Sequence, residues 1–186
     1  ICYLAAQLVG PSGRVIGVDM NDDMLALARK YQAEMAAKLG GDRVRFVKGY
    51  IQELALDPDA VDAHLKARPV TDARGLAELQ AWQDAQRRDR PLIADASVDL
   101  VISNCVLNLV ADHEKERLVR EVFRVLKPGG HAIVMEWNPK ASAVGPDKKL
   151  RIDPEELKAL LLASGLALEK SFPAGGYHYA FLMKKV

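Results

Sequence analysis

The stretch SVDLVISNCVLNLVADHEKERLVREVFRVLKPGGHAIVMEW, residues 97–137, decides the fold class. It holds two apolar, β-branched segments, SVDLVISN and HAIVMEW, with a segment of helical periodicity between them. Leu118, Val119, Val122 and Phe123 form the apolar stripe of that helix, and the run KPGG at 127–130 stops it. A strand, a helix and a second strand in this order predict two parallel strands joined by a crossover helix.

The same alternation of strands and helices continues on both sides of this unit. RVIGVDM predicts a strand at 14–18 that ends on Asp19, a long helix follows over 21–39, and RVRFVKG is the next strand. ALEKSF and YHYAFLMKKV predict two final strands, at least partly antiparallel, joined through 173–176. Because the inner strands are apolar on both faces, we predict an α/β, doubly wound, Rossmann-like sheet with helices on both faces, in one domain over residues 1–186.

Residues 52–96 interrupt this alternation. The stretch has no strand pattern, and Leu76, Leu79 and Trp82 recur at three-residue steps, so we expect a helical insertion of one or two amphipathic helices. Such an insertion is either a surface excursion or a lid over the ligand site, and both interpretations stay open.

The overall composition narrows the possible functions. The formal net charge of +1 leaves no basic excess for nucleic acid, and no apolar run reaches the length of a membrane span. Cys2 and Cys105 lie far apart with no metal-binding spacing around them, so we predict neither a disulfide framework nor a metal site. We expect a cytoplasmic protein with a small-molecule partner and no nucleic-acid or membrane partner; the sequence does not predict an oligomeric state.

Three strand ends carry the candidate ligand residues. In open α/β sheets ligands bind beyond the carboxyl ends of the strands. This places Asp19 with Met20, Tyr50 with Ile51, and the segment 104–106 at the site. An acidic residue at the end of a strand is well placed to accept hydrogen bonds from ribose hydroxyls, although it could instead cap the next helix.

VIGVDM, VKGYIQEL, SVDLVISNCVLNLV and VFRVLKPGGHAIVMEW, in this order, resemble the motifs of class I S-adenosylmethionine-dependent methyltransferases over nearly the whole chain. GVDM, GYI and SNCVLNLV are similar to the arsenite methyltransferase branch, whereas VLKPGG is shared widely within the class. The resemblance implies a methyltransferase sheet, S-adenosylmethionine as cofactor and methyl transfer to a nucleophilic acceptor.

The resemblance also implies roles for individual residues. Asp19 would hold the ribose hydroxyls and Met20 would lie against the adenine. The base would be bordered by Tyr50, Ile51 and Gln52. The methionine end of the cofactor would lie near Asn104 and Val106. Cys105 matches a cysteine with which arsenite methyltransferases hold trivalent arsenic.

The sequence departs from the family pattern in two respects. The first strand and glycine-rich loop of the family would precede Ile1, and ICYLAAQLVG resembles the helix after that loop. No cysteine follows Cys105, although trivalent arsenic prefers two or three thiolates and Cys2 matches no arsenic ligand of the family. We therefore keep three hypotheses: a methyltransferase acting on arsenite or a related thiophilic species, one acting on an ordinary small organic molecule, and a non-catalytic remnant.

Three further residues have two interpretations each. Cys105 is either a reactive thiol or a small buried side chain, since free cysteine is often buried. His178 is either a general base for an oxygen or nitrogen acceptor or a solvent-facing strand residue. Asn108 either caps the helix that follows or lines the acceptor site.

Overall fold

The computed structural model describes residues 1–140 and 144–186. They form two compact units, residues 1–92 and residues 93–186, which we describe separately. Whether residues 1–186 act as one domain stays a prediction. None of the described helices is both long and apolar enough to cross a lipid bilayer.

The first unit contains a short parallel ladder with helices before and after it. Its elements are α1 (Cys2–Leu8), β1 (Val15–Asp19), α2 (Asp22–Lys30), α3 (Gln32–Leu39), β2 (Val44–Lys48), α4 (Pro58–Ala67) and α5 (Ala73–Asp89). β1 and β2 are parallel and in register from the Val15–Val44 pair to the Asp19–Lys48 pair. The carboxyl ends of both strands therefore lie side by side, where the ligand residues of this unit were predicted.

The long helix expected over 21–39 is two helices instead of one. α2 ends at Lys30 and α3 starts at Gln32, because Tyr31 between them has a φ of −97° and a ψ of 1°, which interrupt the helical geometry. Gln32 then donates its side-chain amide to the Val44 carbonyl oxygen at 2.8 Å, which ties the start of α3 to β2. The apolar pattern of the sequence continues through Tyr31 and does not reveal this break. The break is accompanied by a hydrogen bond to another element, β2, which a local pattern cannot show.

Two helices, α4 and α5, lie within residues 52–96. Asp57 and Asp72 cap them through side-chain oxygens that accept backbone N–H groups, as short polar residues at helix starts do. The rings of His64 and Trp82 stack at 4.1 Å between the two helices. The role of this pair of helices as a lid stays a prediction.

The second unit contains a four-stranded mixed sheet. Its regular elements are β3 (Val98–Asn104), α6 (Asp112–Val125), β4 (Leu126–Trp137), α7 (Pro154–Ala163), β5 (Leu166–Ala174) and β6 (His178–Lys185). The strand order is β3-β4-β6-β5, with β3 parallel to β4 and both β6 pairings antiparallel. The final two strands complete the sheet in antiparallel fashion, as predicted.

The core of the second unit lies between α6, α7 and the sheet. The stripe of α6 is buried as predicted, with Leu118 at 3% and Val119 at 1% exposure, and Leu157 and Leu161 of α7 are fully buried. β3 is an edge strand, and its Leu100 and Ile102 remain 45% and 42% exposed. The α/β architecture of helices packed on a sheet is as predicted.

Candidate functional site

Asp19 ends β1 and does not cap the helix that follows. The cap of α2 is Asn21, whose side-chain oxygen accepts the amides of Asp23 and Met24. Asp19 Oδ1 accepts the Asn21 amide at 2.9 Å, which fixes the carboxylate at the strand end. A carboxylate has about four acceptor sites and this bond uses one, so Asp19 retains acceptor capacity for a ligand.

Apolar side chains lie exposed next to this carboxylate in sequence and at the neighbouring strand end. Met20 is 65% exposed and Tyr50, two residues beyond β2, is 43% exposed. The Gly49 amide donates to the Asp19 carbonyl oxygen at 3.0 Å, so the two strand ends are joined. Ile51 and Gln52 are half-buried in the turn that follows Tyr50. The structure thus brings together the five predicted ligand residues of the first unit.

The remaining predicted residues lie at the carboxyl end of β3 in the second unit. Asn104 is the last residue of β3 and is exposed, while Cys105 and Val106 are half-buried in the turn beyond it. Cys105 has a φ of 57°, in the left-handed region that residues with a Cβ seldom adopt. Its amide donates to the Met135 carbonyl oxygen at 2.8 Å, so the turn is attached to β4.

Glu136 is the site residue that the sequence analysis missed. It is 1% exposed near the end of β4, and its Oε1 accepts the amides of Val106 at 3.0 Å and Leu107 at 2.9 Å. Burial raises the pKa of Glu136, and the amides that bond to it partly oppose that shift. The available signal was a single carboxylate inside the apolar strand HAIVMEW.

The Cys105 thiol is poorly suited to ionise at neutral pH. Burial, and secondly the charge of Glu136, raise its pKa from about 9.0 to about 11. A reactive cysteine has the opposite environment, with a pKa lowered by cations or a helix N-terminus. This environment favours Cys105 as a packed side chain over Cys105 as a resident thiolate.

His178 and Asn108 are placed differently from each other. His178 begins β6, is paired in register with Trp137, and its ring lies 4.2 Å from the Trp137 ring. Because β6 is antiparallel to β4, the start of β6, where His178 lies, is beside the carboxyl end of β4. Asn108 does not cap α6, because the cap position of that helix is Ala111. The Oδ1 atom of Asn108 is buried and has no hydrogen-bond partner among the described residues.

A cavity of about 470 Å³ in the first unit is lined by Arg14, Asp42 and Phe46, among others, and lies along the amino-terminal parts of β1 and β2. In residues 1–140 and 144–186, no group of three or more metal-ligating side chains comes together.

Two family models, each described as a methyltransferase domain, match residues 1–81 and residues 66–134. These matches together span residues 1–134, and with the α/β architecture they define the class: the chain belongs to the S-adenosylmethionine-dependent methyltransferase family. S-adenosylmethionine is the cofactor of that class.

Among curated proteins, the chain is similar to arsenite methyltransferases. It is 36% identical to the Aquipseudomonas alcaligenes arsenite methyltransferase over 69% of this chain and 27% of that protein. It is 34% identical to the Halobacterium salinarum arsenite methyltransferase over 84% of this chain and 28% of that protein. The chain therefore spans about a quarter of the length of these relatives.

Solved structures show the same fold at lower sequence identity. An S-adenosylmethionine-dependent methyltransferase from Aquifex aeolicus superposes with a TM-score of 0.67 at 17% identity, covering 98% of this chain and 74% of that one. An arsenic(III) S-adenosylmethionine methyltransferase from Chlamydomonas reinhardtii gives 0.63 at 23% identity, covering 98% and 58%. At these identities the likeness establishes the architecture alone.

The residues of the first unit fit the nucleoside part of this cofactor. An anchored carboxylate with acceptor capacity lies beside exposed apolar side chains, and these groups match a ribose diol and an aromatic base in chemistry. A Cβ at Gly49 would lie 2.7 Å from Leu92 Cδ2 and 3.0 Å from Val18 Cγ1. The chain therefore packs closely at this strand end.

Proposed function

We propose that this chain forms the cofactor-binding part of an enzyme that transfers a methyl group from S-adenosylmethionine to a small-molecule acceptor. The observation that carries this proposal is the carboxylate of Asp19, which is fixed at the end of β1 without serving as the cap of α2. Family membership and the names of the curated relatives support it.

Each predicted residue has a task in this proposal. Asp19 accepts hydrogen bonds from the ribose hydroxyls, and Met20 and Tyr50 pack against the adenine, bordered by Ile51 and Gln52. Asn104 and Val106 contact the methionine end. The cofactor, when bound, supplies a methyl group activated by its sulfonium charge. The protein then has to orient the acceptor and exclude water, which requires little covalent chemistry from its side chains.

Arsenite, or a related thiophilic species, is the first acceptor that we propose. The curated relatives at 36% and 34% identity are named arsenite methyltransferases, and Cys105 lies at the strand end where the resemblance implies an arsenic ligand. Cys105 would need further thiolates, because soft ions are bound by several thiolates together. Cellular thiols such as glutathione would supply them in this proposal.

A small organic molecule is the second acceptor. The raised pKa of Cys105 favours it, because a thiol with a pKa of about 11 is almost entirely protonated at neutral pH. His178 would then remove a proton from an oxygen or nitrogen acceptor at the edge of the sheet.

Methyl transfer from labelled S-adenosylmethionine distinguishes the two acceptors. The full chain is incubated with arsenite and glutathione, and in parallel with small phenols and amines. Arsenite-dependent methylation that Cys105→Ser abolishes and His178→Ala leaves intact supports the first acceptor. Methylation of an organic molecule that His178→Ala abolishes supports the second. If the protein neither methylates these acceptors nor binds adenosylhomocysteine, the proposed function is wrong and the non-catalytic hypothesis replaces it.

A further inference from the structure

The turn after β3 is held by three consecutive backbone amides. The amide of Cys105 donates to the Met135 carbonyl oxygen, and the next two amides, of Val106 and Leu107, donate to Glu136 Oε1. All three bonds end on neighbouring residues of β4. The left-handed conformation of Cys105 is therefore set by its attachment to β4 and not by a glycine.

Glu136 contributes most of this attachment from a buried position. The side chain is 1% exposed, so in this conformation it does not reach a ligand directly. A carbonyl-type oxygen has two lone pairs, so the single Oε1 atom can accept both amides. An alanine here would leave both amides without their acceptor, and the Leu107 N–H bond is buried.

The second carboxylate oxygen makes the arrangement unusual. Glu136 Oε2 is buried and makes no hydrogen bond of good geometry among the described residues, although the neighbouring Trp137 amide helps to lower the pKa of the carboxyl group. Buried polar atoms are nearly always bonded, and an apolar residue would avoid the cost of this one. The carboxyl group at this position is therefore better explained by a task than by stability alone.

We propose that Glu136 is a positioning residue of the methyltransferase site, whose Oε1 fixes the turn after β3 so that Asn104 and Val106 face the cofactor. This inference rests on the proposed function, because it assigns the turn to cofactor contact. The positioning role requires a side chain as long as that of Glu136 and one acceptor oxygen. It does not require a negative charge.

Three variants of the full chain distinguish the effect of side-chain length at position 136 from the effect of its charge. Glu136→Gln keeps the length and a carbonyl oxygen that accepts two amides, but is neutral. Glu136→Asp keeps the charge and is one methylene shorter. Glu136→Ala removes both. Glu116→Ala is the matched control, since the Glu116 side chain is 62% exposed on α6.

Hydrogen exchange of the backbone amides tests the attachment without a ligand. We expect Val106 and Leu107 to exchange at least about tenfold faster in Glu136→Ala and Glu136→Asp, and within about threefold of the unaltered protein in Glu136→Gln. The Gly49 amide, which is bonded to the Asp19 carbonyl oxygen in the first unit, serves as an internal reference. Faster exchange in Glu136→Gln, together with normal exchange in Glu136→Asp, would mean that charge is the requirement and would overturn the proposal.

Calorimetric titration with adenosylhomocysteine tests the consequence for the site. We expect the affinity to fall at least about tenfold in Glu136→Asp and to stay within about threefold in Glu136→Gln. Equal affinity in all variants, despite altered exchange, would overturn the positioning role. If the variants show the expected exchange pattern but the unaltered protein does not bind adenosylhomocysteine, Glu136 does hold the turn. The proposed function is then wrong, and the positioning role assigned to Glu136 is lost with it.

Discussion

The reactivity of Cys105 toward a disulfide reagent depends on its surroundings, and the structure predicts its pH profile. Replacing Cys2 by serine leaves Cys105 as the single cysteine of the chain. Its pKa of about 11 stands two units above the usual value of 9.0, so below pH 9 the thiolate fraction is about 100-fold smaller than that of an unperturbed thiol.

The higher pKa also makes the thiolate a better nucleophile. With a Brønsted coefficient of 0.4–0.5, two pKa units raise the intrinsic rate constant by roughly eightfold. The net expectation is a reaction about tenfold slower than that of an unperturbed thiol at pH 7–8. The rate should still rise about tenfold per pH unit between pH 8 and pH 10.

A small aromatic disulfide reagent, followed by absorbance under pseudo-first-order conditions, measures this profile. The same protein unfolded in urea is the control, and its rate should level off near pH 9. Steric hindrance in the folded protein would scale all rates equally and leave the shape unchanged. A folded-state rate that levels off at or below pH 9 would refute the raised pKa and restore Cys105 as a thiolate candidate.

Three further predictions concern the stability of the fold. Gly130→Ala should destabilise the protein by about 1–3 kcal/mol in urea unfolding, because a Cβ there would lie 2.9 Å from the Lys127 carbonyl oxygen and 3.1 Å from that of Asp99. Gly176→Ala, where a Cβ meets nothing within 4 Å, is the control, and equal losses in both variants would contradict the packing argument. Asn21→Ala should lower the free energy of unfolding by about 1 kcal/mol, because it removes the cap of α2. Asn21→Ser keeps a capping oxygen and should retain most of that stability, so equal stability of the two variants would argue against the cap. Tyr179→Phe should cost about 1–3 kcal/mol, because the buried Tyr179 hydroxyl donates to the Ile152 carbonyl oxygen at 3.0 Å, and an unchanged unfolding midpoint would show that this bond contributes little.

The strands and most helices were predictable because their signals are local. The β-branched runs predicted β3 and β4, and the apolar stripe at 118–123 predicted α6. The break between α2 and α3 was not predictable, because Gln32 reaches across to β2 and the apolar pattern of 22–39 continues through Tyr31. The position of β3 at the edge of its sheet was not predictable, because strand order depends on tertiary pairing.

The candidate site was predictable where a residue type at a strand end has chemical meaning. Asp19 stood out as an acidic residue after an apolar strand, and the structure then excluded it as the cap of α2. Glu136 was missed because its partners, the amides of Val106 and Leu107, are about thirty residues away in sequence. The left-handed Cys105 was missed for the same reason, since tertiary hydrogen bonds hold that conformation.

Cofactor binding at the strand ends is the central claim, and calorimetric titration of the complete protein with adenosylhomocysteine tests it most directly. We predict micromolar-range binding that Asp19→Ala weakens by at least about tenfold, or roughly 1.4 kcal/mol, because the carboxylate that accepts the ribose hydroxyls is lost. Asp89→Ala, at an exposed end of α5, should bind as tightly as the unaltered protein. Unchanged affinity in Asp19→Ala would contradict the ribose assignment, and the absence of binding in the unaltered protein would contradict the enzyme.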